Sequence, residues 1–226
     1  MENRNVIRFE FSKKSGLKYI SHLDLQRAVT RIIKRSHIPV RYTQGFNPHP
    51  KMVFALPLGV GCESECELLD VYMVMDEARQ NIPLYTPQEF KDAIMKNLPD
   101  GLGFVNAYYP SQGFSDITTA DYDVVIELKN HDDISQEFEA TLSSPLIVFK
   151  KSKAGDRDVD IQPMIKGFSV KQNENILTLK LNLMAAQNNY LSPELVMTGL
   201  KNKPSLGEQI DFYSITRTNI SFCDAE

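Results

Sequence analysis

Alternating apolar and polar positions mark the first element of the chain. Ile7, Phe9 and Phe11 fall on one face, whereas Arg8 and Glu10 fall on the other. A period of two residues is the signature of a β-strand that buries one side. The pattern therefore predicts a half-buried strand at 6–11.

The apolar spacing then changes to three and four residues, which predicts an amphipathic helix. Ser21, with Asp24 three residues later, has the pattern of a helix N-cap. The helix is expected to run to about Ser36, where His37-Ile38-Pro39 ends it. The positions that can face a sheet are Leu25, Ala28, Val29, Ile32 and Ile33.

The rest of the first half follows from the same kind of pattern. Thr86-Pro87-Gln88-Glu89 predicts a helix start, because it combines a hydroxyl cap, a proline in the first turn and a glutamate at the third position. This helix should end near Asn97. The predicted strands lie at about Lys51–Leu56, over the alternating run Leu69, Val71, Met73 and Met75, and at Leu102–Tyr108.

The second half begins after Pro110–Thr119, a Ser-, Gly- and Thr-rich segment that predicts a linker. Two helices are expected, one marked by Ile134, Phe138 and Leu142 and one beginning at Ser192-Pro193-Glu194. Predicted strands lie at Tyr122–Leu128, at Leu146–Phe149 as a fully apolar strand, at Ile161–Lys171 and Ile176–Leu183 as a hairpin closed near Asn173-Glu174-Asn175, and at Ile210–Thr218.

These orders of elements predict an α+β fold. The first half reads β-α-β-β-α-β, and the second has one strand more. We expect two ferredoxin-like (split β-α-β) units, with antiparallel sheets and helices on one face. The expected domains are residues 1–110, with the helix and a loop at 44–50, and residues 120–226, with the extra hairpin strand.

Charge is distributed unevenly along the 226 residues. Residues 1–60 hold eleven Lys or Arg against three Asp or Glu, a net of +8, and the remaining residues hold fourteen against 26, a net of −12, which sum to −4. A basic N-terminal quarter indicates a polyanion partner. No apolar run reaches the roughly 18 residues that span a bilayer. The odd cysteine count and the absence of a signal peptide predict a cytoplasmic protein without a membrane anchor.

Cations on the first helix and the loop after it form the candidate binding surface. Arg27, Arg31, Lys34 and Arg35 recur on one exposed side and could hold phosphates, although such a stripe is also typical of a solvated face. In Gln44-Gly45-Phe46-Asn47-Pro48-His49-Pro50 and its flanks, aromatic rings could stack on bases and polar groups could read their edges. Alternatively, Asn47 and His49 bond the loop's own backbone while Phe46 plugs the core. The candidate contacts are Tyr42, Gln44, Phe46, Asn47, His49 and Lys51.

Candidates for catalysis are few. His22, Asp24 and His49 are the nearby acid–base groups, and no known catalytic or nucleotide-binding motif is present. Cys62 and Cys66 lack the third cysteine of an iron–sulfur motif, so no metal and no cofactor is expected. The polar segment Lys150–Asp160 predicts a solvated hairpin tip or a second nucleic-acid contact.

Three segments resemble the radical-SAM-linked family, a bacterial domain of unknown function found alone or fused to B12-binding radical SAM proteins. They are Tyr19–Asp24 (YISHLD), Gln44–Pro50 (QGFNPHP) and Phe54–Pro57 (FALP). The likeness extends to Val159–Pro163, where the family pattern has arginine at the position of Gln162. The resemblance implies a radical SAM protein as partner and RNA or ribosome maturation as the process. It supplies no catalytic residue, and any iron–sulfur or cobalamin chemistry belongs to the partner.

Three functional hypotheses follow. The first is a non-catalytic accessory that binds RNA or presents a substrate to a radical SAM enzyme. The second is a protein–protein interaction module whose basic surface docks on that enzyme. The third is an RNA-processing or RNA-modifying enzyme that uses His22, His49 and Asp24.

Overall fold

The structure is a computed structural model that describes residues 5–76, 82–150, 155 and 157–223. The chain divides into two compact units, Met1–Phe114 and Ser115–Glu226. Each unit combines helices with antiparallel strands, so the fold is α+β. The units are called unit 1 and unit 2 below.

Unit 1 contains two principal helices and a sheet. The elements are β1 (Val6–Lys13), α1 (His22–Arg35), β2 (Met52–Phe54), β3 (Cys62–Tyr72), β4 (Met75–Asp76), β5 (Ile82–Pro83), α2 (Pro87–Ile94) and β6 (Leu102–Tyr108). β1 pairs with β3 and β6, and β2 pairs with β3, each time antiparallel. The order β-α-β-β-α-β predicted for the main elements is therefore observed.

Both helices of unit 1 pack on the sheet face that carries Ile7, Phe9 and Phe11. Phe9 stacks on Phe11 with ring centroids 4.9 Å apart and tilts against Phe90 of α2 at 5.7 Å. Leu25 of α1 belongs to the same buried cluster. Burying an aliphatic or aromatic side chain contributes about 1.5–3 kcal/mol, so this face holds the helices in place. The predicted strand and the helix after Ser21 are confirmed. The strand is buried on more than one side, because Arg8 on its polar face is also buried.

Two predicted boundaries in unit 1 are wrong. β2 is shorter than Lys51–Leu56, because Leu56 has φ +41°, which interrupts the extended backbone. β3 ends at Tyr72 instead of continuing to Met75, since Met75 pairs with Pro83 in a separate two-stranded sheet. α2 ends at Ile94 and continues as a short 3₁₀ turn, so the helical segment ends at Asn97 as predicted. The predicted cap of α2 at Thr86 is confirmed.

Unit 2 follows a similar order with an inserted hairpin. The elements are β7 (Ile117–Leu128), α3 (Ser135–Ser143), β8 (Ile147–Lys150), β9 (Arg157–Asp160), β10 (Ile165–Asn173), β11 (Ile176–Ala186), β12 (Asn189–Tyr190), α4 (Pro193–Lys201), α5 (Pro204–Gly207) and β13 (Ile210–Phe222). β7 pairs with β11 and β13, and β11 also pairs with β10 and β12. The hairpin predicted around Glu174 is confirmed, with Asn173 opposite Ile176.

The expectations for unit 2 need three corrections. The predicted linker is shorter, because Ile117–Thr119 already belong to β7. The strand at Leu146–Phe149 is not fully buried: it forms the hairpin β8–β9, in which Val148 points inward while Ile147 and Phe149 are exposed. Ile161–Met164 are not extended, since Pro163 lies in a 3₁₀ turn and has no N–H for a ladder.

Candidate functional site

A groove lies between α1 and the segment that ends in β2. Its volume is about 530 Å³. α1 contributes a wall with three cations, and the opposite wall presents an imidazole, a proline and two apolar side chains. The lining residues are Leu23, Gln26, Arg27, Thr30, Arg31 and Lys34 from α1, and His49, Pro50, Met52 and Phe54 from the other wall.

The sequence of α1 explains why its cations lie in the groove. Leu25, Val29 and Ile33 are buried against the sheet. Residues four and seven positions apart share a helix face, so Arg27 and Arg31 are left on the exposed side. Of the four cations predicted on this side of the helix, Arg27, Arg31 and Lys34 are exposed and line one groove.

The N-terminus of α1 is capped by the predicted residues. The Asp24 backbone N–H donates to Ser21 Oγ at 3.2 Å, and the Ser21 hydroxyl donates to Asp24 Oδ2 at 2.7 Å. Arg27 Nη1 donates to Asp24 Oδ1 at 2.9 Å. The Ser21 hydrogen bond, followed by that of Arg27, lowers the pKa of the Asp24 carboxyl. Ser21 is thus the helix cap, and the Asp24 carboxylate bonds both the Ser21 hydroxyl and Arg27.

The loop before β2 is a tight hairpin. Tyr42 and Pro50 form an antiparallel bridge. The Thr43 N–H donates to the His49 carbonyl at 2.9 Å, and the Lys51 N–H donates to the Arg41 carbonyl at 2.7 Å. These backbone bonds fix the base of the loop, so its tip at 44–48 projects from a defined support. We call residues 42–50 the hairpin loop.

The tip of the hairpin loop is open to solvent. Phe46 has a relative exposure of 109%, and Tyr42 one of 46%. The expectation that Phe46 plugs the core is therefore wrong. Gln44 and Asn47 are also exposed. His49 is bonded within the loop, as one interpretation held, but its ring partner is the Thr43 side chain and not the backbone. The loop thus presents an aromatic ring without burying it.

Two predicted cationic contacts lie outside the groove. Arg35 is exposed on α1 but does not line the groove. Lys51 places its Nζ over the Tyr72 ring, 4.2 Å from the centroid. Because Phe54 and Leu69 are paired on the face that carries α1, the alternation of the strands puts Lys51 and Tyr72 on the opposite face. Lys51 therefore points away from the arginines.

The predicted acid–base residues do not share one surface. Among the described residues that line the groove, His49 is present but His22 and Asp24 are not. The His22 ring meets the Phe54 ring edge-on, with centroids 5.2 Å apart. Burial lowers the pKa of His22, the Glu67 charge raises it and the Lys13 charge lowers it, with burial the largest cause. His22 therefore supports the groove from behind Phe54.

A buried ion pair on the opposite face of the unit 1 sheet was missed by the sequence reasoning. Arg8 is 2% exposed. Its Nε and Nη2 donate to the two carboxylate oxygens of Asp70, at 2.7 and 2.9 Å. Nη2 also donates to the Gln112 carbonyl at 3.0 Å, and Phe114 lies over the guanidinium with its centroid 4.2 Å away. Alternation alone placed Arg8 on an open face, and no local signal marks partners that are 62 and more positions away.

The predicted second contact in unit 2 is only partly described. Lys150 and Arg157 are opposite each other in the β8–β9 hairpin. Residues 151–154 and 156 lie outside the described residues. Asp160 accepts hydrogen bonds from the backbone N–H groups of Leu146 and Gln162, at 2.9 and 3.0 Å, so this aspartate closes the base of the hairpin. A nucleic-acid contact here stays a prediction.

Together, these features define an α+β protein with a cationic groove and an exposed aromatic hairpin loop. The chain belongs to the family described as "uncharacterized protein conserved in bacteria (DUF2344)", whose model matches residues 6–193. No curated protein matches the chain. Within the described residues, no helix is long and apolar enough to cross a membrane.

Solved structures with a similar chain include two RNA–protein particles. One is an H/ACA RNP bound to a substrate RNA containing 2′-deoxyuridine, with a TM-score of 0.46, 9% identity and 93% of this chain covered. The other is an archaeal box H/ACA sRNP Nop10–Cbf5 complex, with a TM-score of 0.44, 9% identity and 98% covered. This chain spans about half the length of those chains, 47% and 50%. Similarity at this level carries no argument about binding.

Proposed function

We propose that the protein is a non-catalytic accessory that binds single-stranded RNA along α1. The observation that carries the proposal is the groove, where Arg27, Arg31 and Lys34 face a wall formed partly by His49 and Phe54. Single-stranded nucleic acids are bound by cations that follow the backbone and by side chains on which bases stack. The groove supplies the cations, and the exposed rings lie on the adjoining hairpin loop.

The hairpin loop extends the same contact surface. Phe46 and Tyr42 offer rings that no core packing occupies. Gln44 and Asn47, exposed beside them, can hydrogen-bond the edges of unpaired bases. Because its base is fixed by backbone hydrogen bonds, the loop loses little conformational freedom on binding. We therefore assign phosphates to the groove and bases to the tip.

The composition of the groove favours binding over catalysis. Its described lining contains a single imidazole and no carboxylate. General acid–base catalysis requires groups within hydrogen-bond reach of one reacting site. Asp24 is engaged by Ser21 and Arg27, and His22 lies behind Phe54. An RNA-modifying enzyme built on His22, Asp24 and His49 therefore has less support than an RNA-binding protein.

The proposal includes an architecture, a location and a partner. We infer two ferredoxin-like units, on the support of the pairing orders β2–β3–β1–β6 in unit 1 and β10–β11–β7–β13 in unit 2. The radical SAM protein remains the proposed partner, supported by the resemblance of the YISHLD and QGFNPHP segments. Such an assembly would operate in the cytoplasm, and its cofactors would belong to the partner.

A salt titration with matched variants tests the RNA proposal. The probe is a fluorescent twelve-nucleotide single-stranded RNA, titrated from low to physiological salt. Arg27→Ala/Arg31→Ala should weaken binding at least tenfold and reduce the slope of log affinity against log salt by about 1.4, since each phosphate contact on a single strand contributes about 0.7. The single variants Arg31→Ala and Arg35→Ala form the matched control, because each removes one charge from α1, the first inside the groove and the second outside it.

Three results would contradict the RNA proposal. The first is the absence of binding by the wild-type protein at low salt. The second is an Arg35→Ala variant that weakens binding as much as Arg31→Ala, which would indicate a general charge effect instead of a groove. The third is a double variant Arg27→Ala/Arg31→Ala that folds normally and binds like the wild type.

A second candidate function is docking on the radical SAM partner. Tyr19 and Leu23, near the start of α1, have exposures of 66% and 62%. Aromatic residues and arginine are enriched at protein interfaces, and Arg27 is close in sequence. If the partner co-purifies after nuclease treatment and is lost from Leu23→Asp, docking is favoured. Association that disappears with nuclease would instead indicate bridging by RNA.

A further inference from the structure

The Thr43 hydroxyl and the His49 ring form the shortest polar contact of the hairpin loop. Thr43 Oγ1 lies 2.6 Å from His49 Nδ1. The same oxygen accepts the His49 backbone N–H at 3.2 Å, and the Thr43 N–H donates to the His49 carbonyl at 2.9 Å. The two residues are therefore joined by one backbone–backbone bond, one backbone–side-chain bond and one contact between side chains.

The direction of the side-chain bond follows from counting protons. A threonine hydroxyl has one proton to donate and two lone pairs that accept, and a neutral imidazole has one nitrogen that donates and one that accepts. One lone pair of Oγ1 receives the His49 backbone N–H. Among the described residues, Nδ1 is the one acceptor that Oγ1 reaches. A hydroxyl that donates to Nδ1 places the ring proton on Nε2.

We infer that the Thr43 hydroxyl donates to Nδ1 and that Thr43 is a positioning residue, which holds the His49 ring so that Nε2–H donates a hydrogen bond to a phosphate oxygen of the bound RNA. This inference rests on the proposed function. His49 lines the groove across from Arg27 and Arg31, whereas Thr43 does not line it. Nδ1 is engaged by Thr43, so Nε2 is the ring nitrogen left for a ligand.

The His49 N–H donor would add geometric precision that the exposed cations do not provide. Arg27 and Arg31 are exposed on long side chains, and exposed charges hold an anion with little geometric precision and lose strength in salt. The His49 ring is fixed at one end and is short. A phosphate bound between the two walls is therefore located by His49 and attracted by the arginines. Screening by salt should affect the His49 contribution less than theirs.

The ring state is tested on the free protein, without RNA. ¹⁵N NMR of the His49 imidazole in the neutral form should show the proton on Nε2 and a hydrogen-bonded Nδ1. Thr43→Val should abolish the hydrogen-bond signature of Nδ1, and Thr43→Ser should retain it. A proton on Nδ1 in the wild type, or an Nδ1 signal unchanged by Thr43→Val, overturns the inference whatever the protein binds.

The ligand contact is tested with a double-mutant cycle on twelve-nucleotide oligouridylate and oligoadenylate. Thr43→Val should weaken both about five- to tenfold, as expected for the net loss of one ordinary hydrogen bond. Thr43→Ser should bind like the wild type. In a His49→Ala background, Thr43→Val should add no further loss, because Thr43 acts through His49.

The outcomes separate the inference from the proposed function. If the wild type binds RNA and Thr43→Val binds it equally well, the positioning role is wrong and the RNA-binding function stands. The same holds if Thr43→Val weakens binding by the same factor in the His49→Ala variant as in the wild type. Loss confined to oligouridylate would overturn the phosphate assignment in favour of a base carbonyl. If the wild type binds neither RNA, the proposed function and the phosphate contact both fall.

Discussion

The ring of His22 meets the ring of Phe54 edge-on, with their centroids 5.2 Å apart. Phe54 lines the groove, while His22 begins α1. Edge-to-face packing of aromatic rings contributes about 0.5–1.5 kcal/mol beyond burial. The pair therefore connects α1 with β2 beneath the groove. We assign His22 a structural role, in which it keeps Phe54 in place.

This contact predicts a specific dependence of stability on pH. The pKa of His22 in the folded protein is below its ordinary value of 6.5, chiefly because of burial. The unfolded chain therefore binds a proton more readily than the folded one as pH falls through 6.5, and stability must fall in the same range. His22→Gln should reduce the loss of stability between pH 7.5 and pH 5.5, measured by urea denaturation.

His131 supplies the control for that measurement. It is an exposed histidine of unit 2, with no ring contact in the described structure. His131→Gln should leave the pH dependence as it is in the wild type. A His22→Gln variant with an unchanged slope, or a slope that is abolished equally by both substitutions, would contradict the role assigned to burial.

The buried pair Arg8–Asp70 predicts a large effect of a small change. Asp70→Asn removes the carboxylate charge and leaves the Arg8 guanidinium, whose side chain is 3% exposed, without its counter-ion. Breaking a buried pair on one side costs about 3–5 kcal/mol. We expect the free energy of unfolding to fall by about 3 kcal/mol in urea.

A second carboxylate of β3 gives a matched comparison. Glu65 pairs with Lys14 at 3.0 Å, but their side chains are 50% and 47% exposed. Exposed pairs contribute about 0–1 kcal/mol, so Glu65→Gln should lie within about 0.5 kcal/mol of the wild type. Equal losses in the two variants would mean that burial does not govern these pairs.

Gly101, in the turn before β6, should tolerate substitution poorly. It has φ +89°, and an added Cβ would lie 2.8 Å from the Lys14 carbonyl oxygen. The Lys14 N–H donates to the Gly101 carbonyl at 2.8 Å, so the turn cannot move freely. Gly101→Ala should cost about 2 kcal/mol, from left-handed backbone strain and this contact. In Gly16→Ala the added Cβ has no atom within 4 Å, so the stability should change little. Thermal melts of both variants provide the measurement.

Phe46 should separate binding from stability. Since its ring is fully exposed, Phe46→Ala should leave the melting temperature unchanged. A stacked base contributes about 1–3 kcal/mol, so RNA affinity should fall at least about fivefold. Phe212→Ala, which removes a 56% exposed ring from unit 2, is the control. A drop in the melting temperature without a loss of affinity would show that Phe46 has a structural role.

Local signals in the sequence carried most of the fold. Ser21 and Thr86 predict the starts of their helices, because a helix cap depends only on residues close in the sequence. β1 was predictable because its apolar residues alternate on one face. β3 and β8 were misjudged for a different reason. Where a strand stops, and which side of a hairpin is covered, depends on partners that are distant in the sequence.

The candidate site was predictable as a set of residue types but not as a surface. Helical periodicity brought Arg27 and Arg31 together correctly, since both lie on one helix. Helical periodicity could not show that Arg35 lies outside the groove, because Arg35 is also on the exposed side of α1. Lys51 follows the hairpin loop directly in sequence. Strand alternation nevertheless places its side chain on the sheet face opposite α1, where it contacts the Tyr72 ring.

Asp24 has a consequence for the choice of ligand. Its carboxylate accepts a hydrogen bond from Arg27 Nη1 at 2.9 Å, although Asp24 itself does not line the groove. A ligand that binds Arg27 must therefore compete with a carboxylate that is already present beside the groove. Exposed ion pairs contribute little, so a ligand with several closely spaced charges can displace this contact. A single weak anion gains too little to do so, and the groove is therefore expected to favour ligands of high charge density.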